Sequence, residues 1–273
     1  MIPPFNSEEL ESKFEKIETK INGYNNKQFG KCVSFNTPRL KSTRRKMGIP
    51  NPANYYLLCK EIAINWASIN SIINKSKISI SKPKLDENDA RYIKTENQYS
   101  ELIVKKVLCS MSSKYMVYAD VSRFHGTIYT HSIPWALHGK YNAKVDSSDA
   151  LYGNKIDRYF RNLQDRQTLG IPTGPVCSYL ISEVIACRID EILRKRLSKS
   201  IKMLRFVDDF YFFCDSLNET ELVMSTLAKA LSEFELEINP EKTVVQNLPI
   251  EFEPIWISEL RLYNFGSSGK KQE

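Results

Sequence analysis

The stretch MLRFVDDFYFF, residues 203–213, sets two adjacent carboxylates, Asp208 and Asp209, inside an almost unbroken apolar and aromatic run. Free carboxylates ionise at about pH 4, so the pair repels itself at neutral pH, and desolvating it costs several kcal/mol unless a cation compensates. Two readings fit: a hairpin whose tip is acidic, or a cation seat held between apolar strands. The rest of the chain decides between them.

Upstream, KYMVYADVSRF (114–124) is rich in β-forming residues and reads as a strand ending at Asp120. If that strand neighbours the hairpin, Asp120 and Asp208 meet. Two-metal nucleotidyl transfer needs carboxylates from separate segments converging on cations about 3.5–4 Å apart. Mg²⁺ suits such a seat, because it takes oxygen ligands from one or two carboxylates and from substrate phosphates. A cation would also explain how Asp208 and Asp209 tolerate each other.

Composition agrees with a folded polyanion binder. With 273 residues, 42% hydrophobic and 26% charged, the chain can bury one sizeable core, alone or with an attached subdomain. Its net charge of +7 favours polyanionic partners. RLKSTRRK (39–46) gathers Arg39, Lys41, Arg44, Arg45 and Lys46 without an acid, as a solvated loop or a phosphate clamp. The six cysteines form no CxxC pair and lie near no His at zinc-ligand spacing, so they read as reduced thiols of a cytoplasmic protein. The N-terminus lacks the basic and apolar blocks of a signal peptide, and no apolar run approaches the ~20 residues of a membrane span, so no membrane partner is expected.

Between these landmarks the periodicity predicts further elements. An amphipathic helix capped by Ser7 carries Leu10, Phe14, Ile17 and Ile21; a short strand follows at CVSF (32–35), and a helix over 53–73 buries Leu57, Ile62, Trp66 and Ile69. Residues 75–100 suggest an exposed insertion or a β-ribbon. Trp135 sits on a loop or helix, and another helix starts near Ser147 or Ser148. GIPTGP (170–175) leads into a long helix with Val176, Leu180, Val184, Ile189 and Leu193 on its apolar face. A helix capped at Asn218 and a strand–turn–strand at EINPEKTVVQN (237–247) complete the series. This order describes an α+β layer, a sheet covered by helices on one face.

The ordered motifs are similar to those of reverse transcriptases. FVDD resembles the [FY]xDD hairpin, YADVSRF the first catalytic strand, GIPTGPVCSYLISE the glycine-containing helix entry and LEINPEKT the lysine-bearing motif after it. Together with RRKMGIPNP and IYTHSIPWALHGK, the set over residues 40–245 looks most like the abortive-infection and other defence-associated bacterial reverse transcriptases.

The resemblance implies a right-hand polymerase: fingers over 1–110, a palm over 111–250 with an interleaved fingers helix at 145–170, and the start of a thumb or C-terminal extension at 251–273, the thumb being short or absent. It implies catalytic carboxylates at Asp120, Asp208 and Asp209, with two Mg²⁺ ions, replaceable by Mn²⁺, held by Asp120, the Val121 carbonyl and Asp208. Arg44 and Arg45 would contact the triphosphate, Lys242 would assist pyrophosphate departure, and His125, Thr173 and Gly174 would line the nucleotide site. His125 stands where relatives usually carry an aromatic that blocks a ribose 2′-hydroxyl, and Thr173 where many carry Gln. Expected partners are dNTPs, an RNA template or noncoding RNA, the DNA product, and a partner chain or second copy supplying a thumb.

The implied function is dNTP polymerisation in antiphage defence, RNA-templated or template-independent, with priming from a protein hydroxyl among the 14 tyrosines, such as Tyr55 or Tyr56. The alternatives are a catalytically silent palm-fold RNA-binding scaffold and an RNA-dependent RNA polymerase. His125, His131 and His138 are not at helix-face metal spacing, and Tyr211 and Phe212 read as core residues rather than base-stacking platforms.

Overall fold

The computed structural model describes residues 19–21, 28–38, 44–86, 93–96, 99–253, 256–257 and 260. The Ser7-capped helix, apart from its helical residues 19–21 with Ile21 buried, and most of the expected thumb start lie outside the described residues. The chain divides into two compact units. One comprises Met1–Lys75, Arg123–Arg188 and Glu233–Leu236, the other Ser76–Ser122, Ile189–Ser232 and Glu237–Glu273.

In the first unit, β1 (Val33–Pro38) pairs antiparallel with β2 (Arg44–Ile49), so part of the basic run is strand rather than loop. Asn51 then caps α1 (Pro52–Ile64), its side chain accepting from the amides of Ala53 and Asn54, with Pro52 at the first helical position. The single helix expected over 53–73 is two. Asn65 folds its side-chain amide back onto the Glu61 carbonyl and carboxylate, and α2 (Trp66–Lys75) starts afresh beyond it. Leu58, not Leu57, is the buried position, and Trp66 is only half-buried, while Ile62 and Ile69 are buried as expected.

Three short helices follow in this unit, Phe124–Thr127, Ser132–His138 and Lys140–Val145. Trp135 lies on the helix Ser132–His138, and the expected helix near Ser147 begins only at Tyr152, running to Leu163. Ser148 and Asp146 are used in a turn before it, where Asp146 accepts from the Ser148 amide and the Ser148 hydroxyl accepts from the Ala150 amide. The long helix Val176–Arg196 buries Leu180, Val184, Ile189 and Leu193, but Val176 is exposed at its first turn.

The second unit is built on a four-stranded antiparallel sheet of β5 (Tyr115–Asp120), β6 (Lys202–Phe206), β7 (Asp209–Cys214) and β8 (Val244–Asn247), in the order β6-β7-β5-β8. A small ribbon of β3 (Pro83–Leu85) and β4 (Ile93–Thr95) precedes it, where residues 75–100 suggested one. That segment is not wholly exposed: Ile78 and Ile80 are buried.

Both sheet faces are covered, rather than one. Met116, Tyr211 and Phe213 pack with Ile80 and with Leu102 of α3 (Tyr99–Ser110), while Arg205, of opposite parity, bonds to Asp190 of the long helix. The helix Leu217–Ser232 packs on β5 and β7. This is why residues 210–214 of β7 are all buried and why its sequence does not alternate. The cap of that last helix is Ser216, whose hydroxyl accepts from the Glu219 amide while Glu219 accepts from the Asp215 amide; Asn218 already lies inside it.

Candidate active site

The acidic pair occupies the β6–β7 hairpin. Asp208 lies in the turn and Asp209 is the first residue of β7, paired in register with Phe206 on one side and with Asp120 on the other. Asp120 ends β5 and is 5% exposed. Directly opposed residues in antiparallel strands have side chains about 4.5–5.5 Å apart at Cβ, so the register sets Asp120 beside Asp209. The Val121 amide donates to the Asp208 carbonyl at 3.3 Å, bringing the third carboxylate's residue to the same strand end.

The turn itself is strained. Val207, β-branched, has φ +57°, a conformation that costs of order 1–3 kcal/mol and persists only where surroundings hold it. Its amide donates to the Ser81 hydroxyl at 2.7 Å, and its carbonyl accepts from Arg205 Nη1 at 2.8 Å. Arg205 is completely buried and makes a bidentate pair with Asp190, both bonds 2.8 Å, and Asp190 also accepts from the Ser76 hydroxyl at 2.6 Å.

Cationic compensation arrives from the next turn. Asn239 accepts from the Glu241 amide, and Pro240 fixes the backbone between them. This turn docks beside Asp120: the Asn239 amide donates to the Asp120 carbonyl at 2.7 Å, and Asn239 Nδ2 and Lys242 Nζ each reach Asp120 Oδ2 at 3.0 Å. Tyr118, two residues before Asp120 on the same sheet face, donates its hydroxyl to Asp209 Oδ1 at 2.6 Å. The Lys106 ammonium, from α3, lies 3.7 Å from the Tyr211 ring centroid.

These surroundings leave the acids under-compensated. Burial first, then the Asp209 charge, pushes Asp208 up to about 6. Burial likewise raises Asp209, against the Tyr118 hydrogen bond that lowers it. Burial drives Lys106 down to about 8, partly countered by Asp209. An excess of desolvated carboxylate suits a divalent cation. Among the described residues no three His, Cys, Asp or Glu side chains form a ready-made metal cage. Open coordination completed by a backbone carbonyl and substrate phosphates is the mode Mg²⁺ commonly adopts.

The remaining expected residues lie in the first unit. The Gly48 amide of β2 donates to the Thr173 carbonyl at 2.9 Å, a close approach that glycine permits, since a Cβ there would stand 3.3 Å from Pro172 Cβ. Arg44 and Arg45, both exposed, lie three and four residues back along the strand, about 10–13 Å away. Gly174, at φ +118°, follows Thr173, and the two wall an apolar recess of about 460 Å³ with Phe35, Met47 and Tyr55. His125 is half-buried, its carbonyl accepting from the Ile171 amide, and burial drives its imidazole down to about 4. His131 pairs with Asp157 at 2.8 Å, and His138 accepts from the Gly153 amide at 3.0 Å.

Sequence reading missed Tyr118, Asn239, Lys106 and the Arg205–Asp190 pair. Tyr118 carried a signal, its i, i+2 spacing from Asp120 on a strand. Lys106 and Asp190 carried none, because their placement depends on helix packing.

Residues 63–253 match the family described as Reverse transcriptase (RNA-dependent DNA polymerase). The chain belongs to the reverse transcriptase family. Two curated relatives of this reverse transcriptase chain, the telomerase reverse transcriptases of Mus musculus and Rattus norvegicus, are each 34% identical over 85 residues, 31% of the chain and 8% of their own length. Telomerase structures from Candida albicans and Candida Tropicalis share its fold, with TM-scores of 0.58 and 0.54 at 14% and 13% identity; they cover 90% and 86% of the chain. The chain spans less than half of each, 46% and 48%. Fingers and palm of the reverse-transcriptase type, α+β with an antiparallel sheet and helices, are therefore its fold class. No helix among the described residues is long and apolar enough to cross a membrane.

Proposed function

We propose that the chain polymerises dNTPs by two-metal catalysis at Asp120, Asp208 and Asp209. The observation that carries this reading is the β5–β7 register that opposes Asp120 to Asp209, with Asp208 in the adjoining turn. Asp120, the Val121 carbonyl and Asp208 would hold two Mg²⁺ ions, or Mn²⁺ in their place, and Asp209 would support them, braced by Tyr118. When bound, the ions lower the pKa of the attacking hydroxyl and neutralise charge on the transferring phosphate.

The chain's own residues do the rest. Asn239 fixes the Asp120 carboxylate, and Lys242, half exposed to solvent, leaves Asp120 for the departing pyrophosphate and supplies it a proton or positive charge. Arg44 and Arg45 hold the triphosphate, while His125, Thr173 and Gly174 line the base and sugar. The fingers would then be the N-terminal 110 residues with the interleaved helix, and the palm residues 111–250.

The wider role we propose is bacterial antiphage defence of the abortive-infection kind, in the cytoplasm, with an RNA template or noncoding RNA, a DNA product and a thumb supplied by a partner or second copy. The support is the motif set that includes RRKMGIPNP and IYTHSIPWALHGK. The test is to incubate purified protein with each nucleotide and Mg²⁺, with and without a supplied RNA, sequence the product, and digest it with protease. DNA complementary to a supplied RNA marks templated synthesis, protease-sensitive DNA of unrelated sequence marks protein-primed, untemplated synthesis, and absence of any polymer contradicts the proposal.

A further inference from the structure

None of the six cysteines is in a disulfide, and two of the thiols touch. Cys59 Sγ, on α1, lies 3.3 Å from Cys177 Sγ, in the first turn of the helix Val176–Arg196, although 118 residues separate them in the chain. Both belong to the first unit. A disulfide needs its sulfurs at about 2.05 Å, so the two sulfurs, already in contact at 3.3 Å, have only to approach further.

We infer that Cys59 and Cys177 form a reversible redox modification site, oxidised by a peroxide or a low-molecular-weight disulfide. Cys59 is the entry point, because it is half-buried whereas Cys177 is buried. The hydrogen bond from the Cys177 thiol holds Cys59 below the usual thiol range against its burial, and Cys177 itself is pushed up. The more accessible Cys59 attacks, and the buried Cys177 resolves. Burial raises Cys32, Cys109 and Cys214, the last to about 12, which disfavours their thiolates.

With hydrogen peroxide, the Cys59 thiolate attacks one oxygen, the O–O bond breaks, and a sulfenic acid and hydroxide form. The Cys177 sulfur then attacks Cys59 sulfur, the S–O bond breaks, and the hydroxyl leaves as water with the Cys177 proton. Two electrons pass from the sulfurs to the peroxide, giving two waters overall. With a disulfide such as oxidised glutathione, Cys59 forms the mixed disulfide and Cys177 displaces the second thiol.

The bond has a consequence for the neighbouring recess. Tyr55, one turn before Cys59, and Pro175, two residues before Cys177, are both in its wall beside Thr173 and Gly174. A disulfide would tie these two walls together. An effect on nucleotide binding rests on the function proposed above, whereas the cross-link does not.

The full chain, reduced and then exposed separately to hydrogen peroxide and to oxidised glutathione, should lose two of its six titratable thiols and regain them with dithiothreitol. Non-reducing peptide mapping should give the Cys59–Cys177 pair as the main cross-link. Cys59→Ser and Cys177→Ser should each abolish that cross-link, with melting curves that establish folding. Sulfinic acid at Cys59 without a cross-link, or oxidation scattered over the other four thiols, overturns the inference whether or not the protein makes DNA.

Discussion

At the residue scale, the fold gathers carboxylates whose charges repel one another, Asp120 opposite Asp209 and Asp208 beside it. Asp208 stands at about 6 in the folded state against an ordinary 3.8, so between these values the folded chain holds more protons than the unfolded one. Its contribution to stability is therefore present below about pH 4 and lost as pH rises through about 6. In chelator at pH 7.5, Asp208→Asn should raise stability by roughly 1–3 kcal/mol, a gain that vanishes towards pH 4, while nucleotide incorporation with Mg²⁺ falls at least about a hundredfold. Urea melts across pH and a primer-extension assay check both; a destabilised Asn variant would show that Asp208 is already compensated. His125 is neutral near pH 7, since burial drives its imidazole down to about 4, so the sugar discrimination proposed for it would rest on bulk rather than charge. His125→Ala should raise rNTP relative to dNTP incorporation by about 10- to 200-fold, and His125→Phe should leave the ratio nearly unchanged, as competition assays would reveal.

At the element scale, the hairpin depends on a prop behind the sheet. Arg205 spans from Asp190 on the long helix to the Val207 carbonyl, so one fully buried guanidinium joins the helix to the strained turn that carries Asp208. Asp190→Asn leaves that charge under-paired and should cost about 3–5 kcal/mol in urea unfolding. In variant protein that remains folded at low temperature, the turn should loosen, and hydrogen exchange at residues 207–209 should quicken more than elsewhere in the sheet. Exchange that rises uniformly would deny Arg205 its specific hold on the turn. This pair also marks where sequence reading ended. β5, the hairpin and the lysine-bearing turn were legible because β-formers, a paired acid and an Asn-Pro turn act over a few residues. The break at Asn65, the late start at Tyr152 and the two-sided cover of the sheet were not, since each is decided by a side-chain bond or by packing between segments far apart in sequence.

At the scale of the whole molecule, the two compact units divide the expected residues: Asp120, Val121, Asp208, Asp209 and Lys242 in one, Arg44, Arg45, His125, Thr173 and Gly174 in the other. Chemistry and nucleotide selection would thus be carried by separate bodies of one chain, a division that motif order along the sequence conveys only partly, because each unit is assembled from three segments. The family resemblance read from FVDD and its companions agrees with the match over residues 63–253 and with the telomerase folds. Incorporation of labelled dNTP with Mg²⁺ by the wild-type chain and by Asp120→Asn and Asp208→Asn decides whether the opposed carboxylates are a polymerase centre. Polymer is expected from the wild-type protein and none above background from either folded variant; undiminished synthesis by either variant would show that they are not.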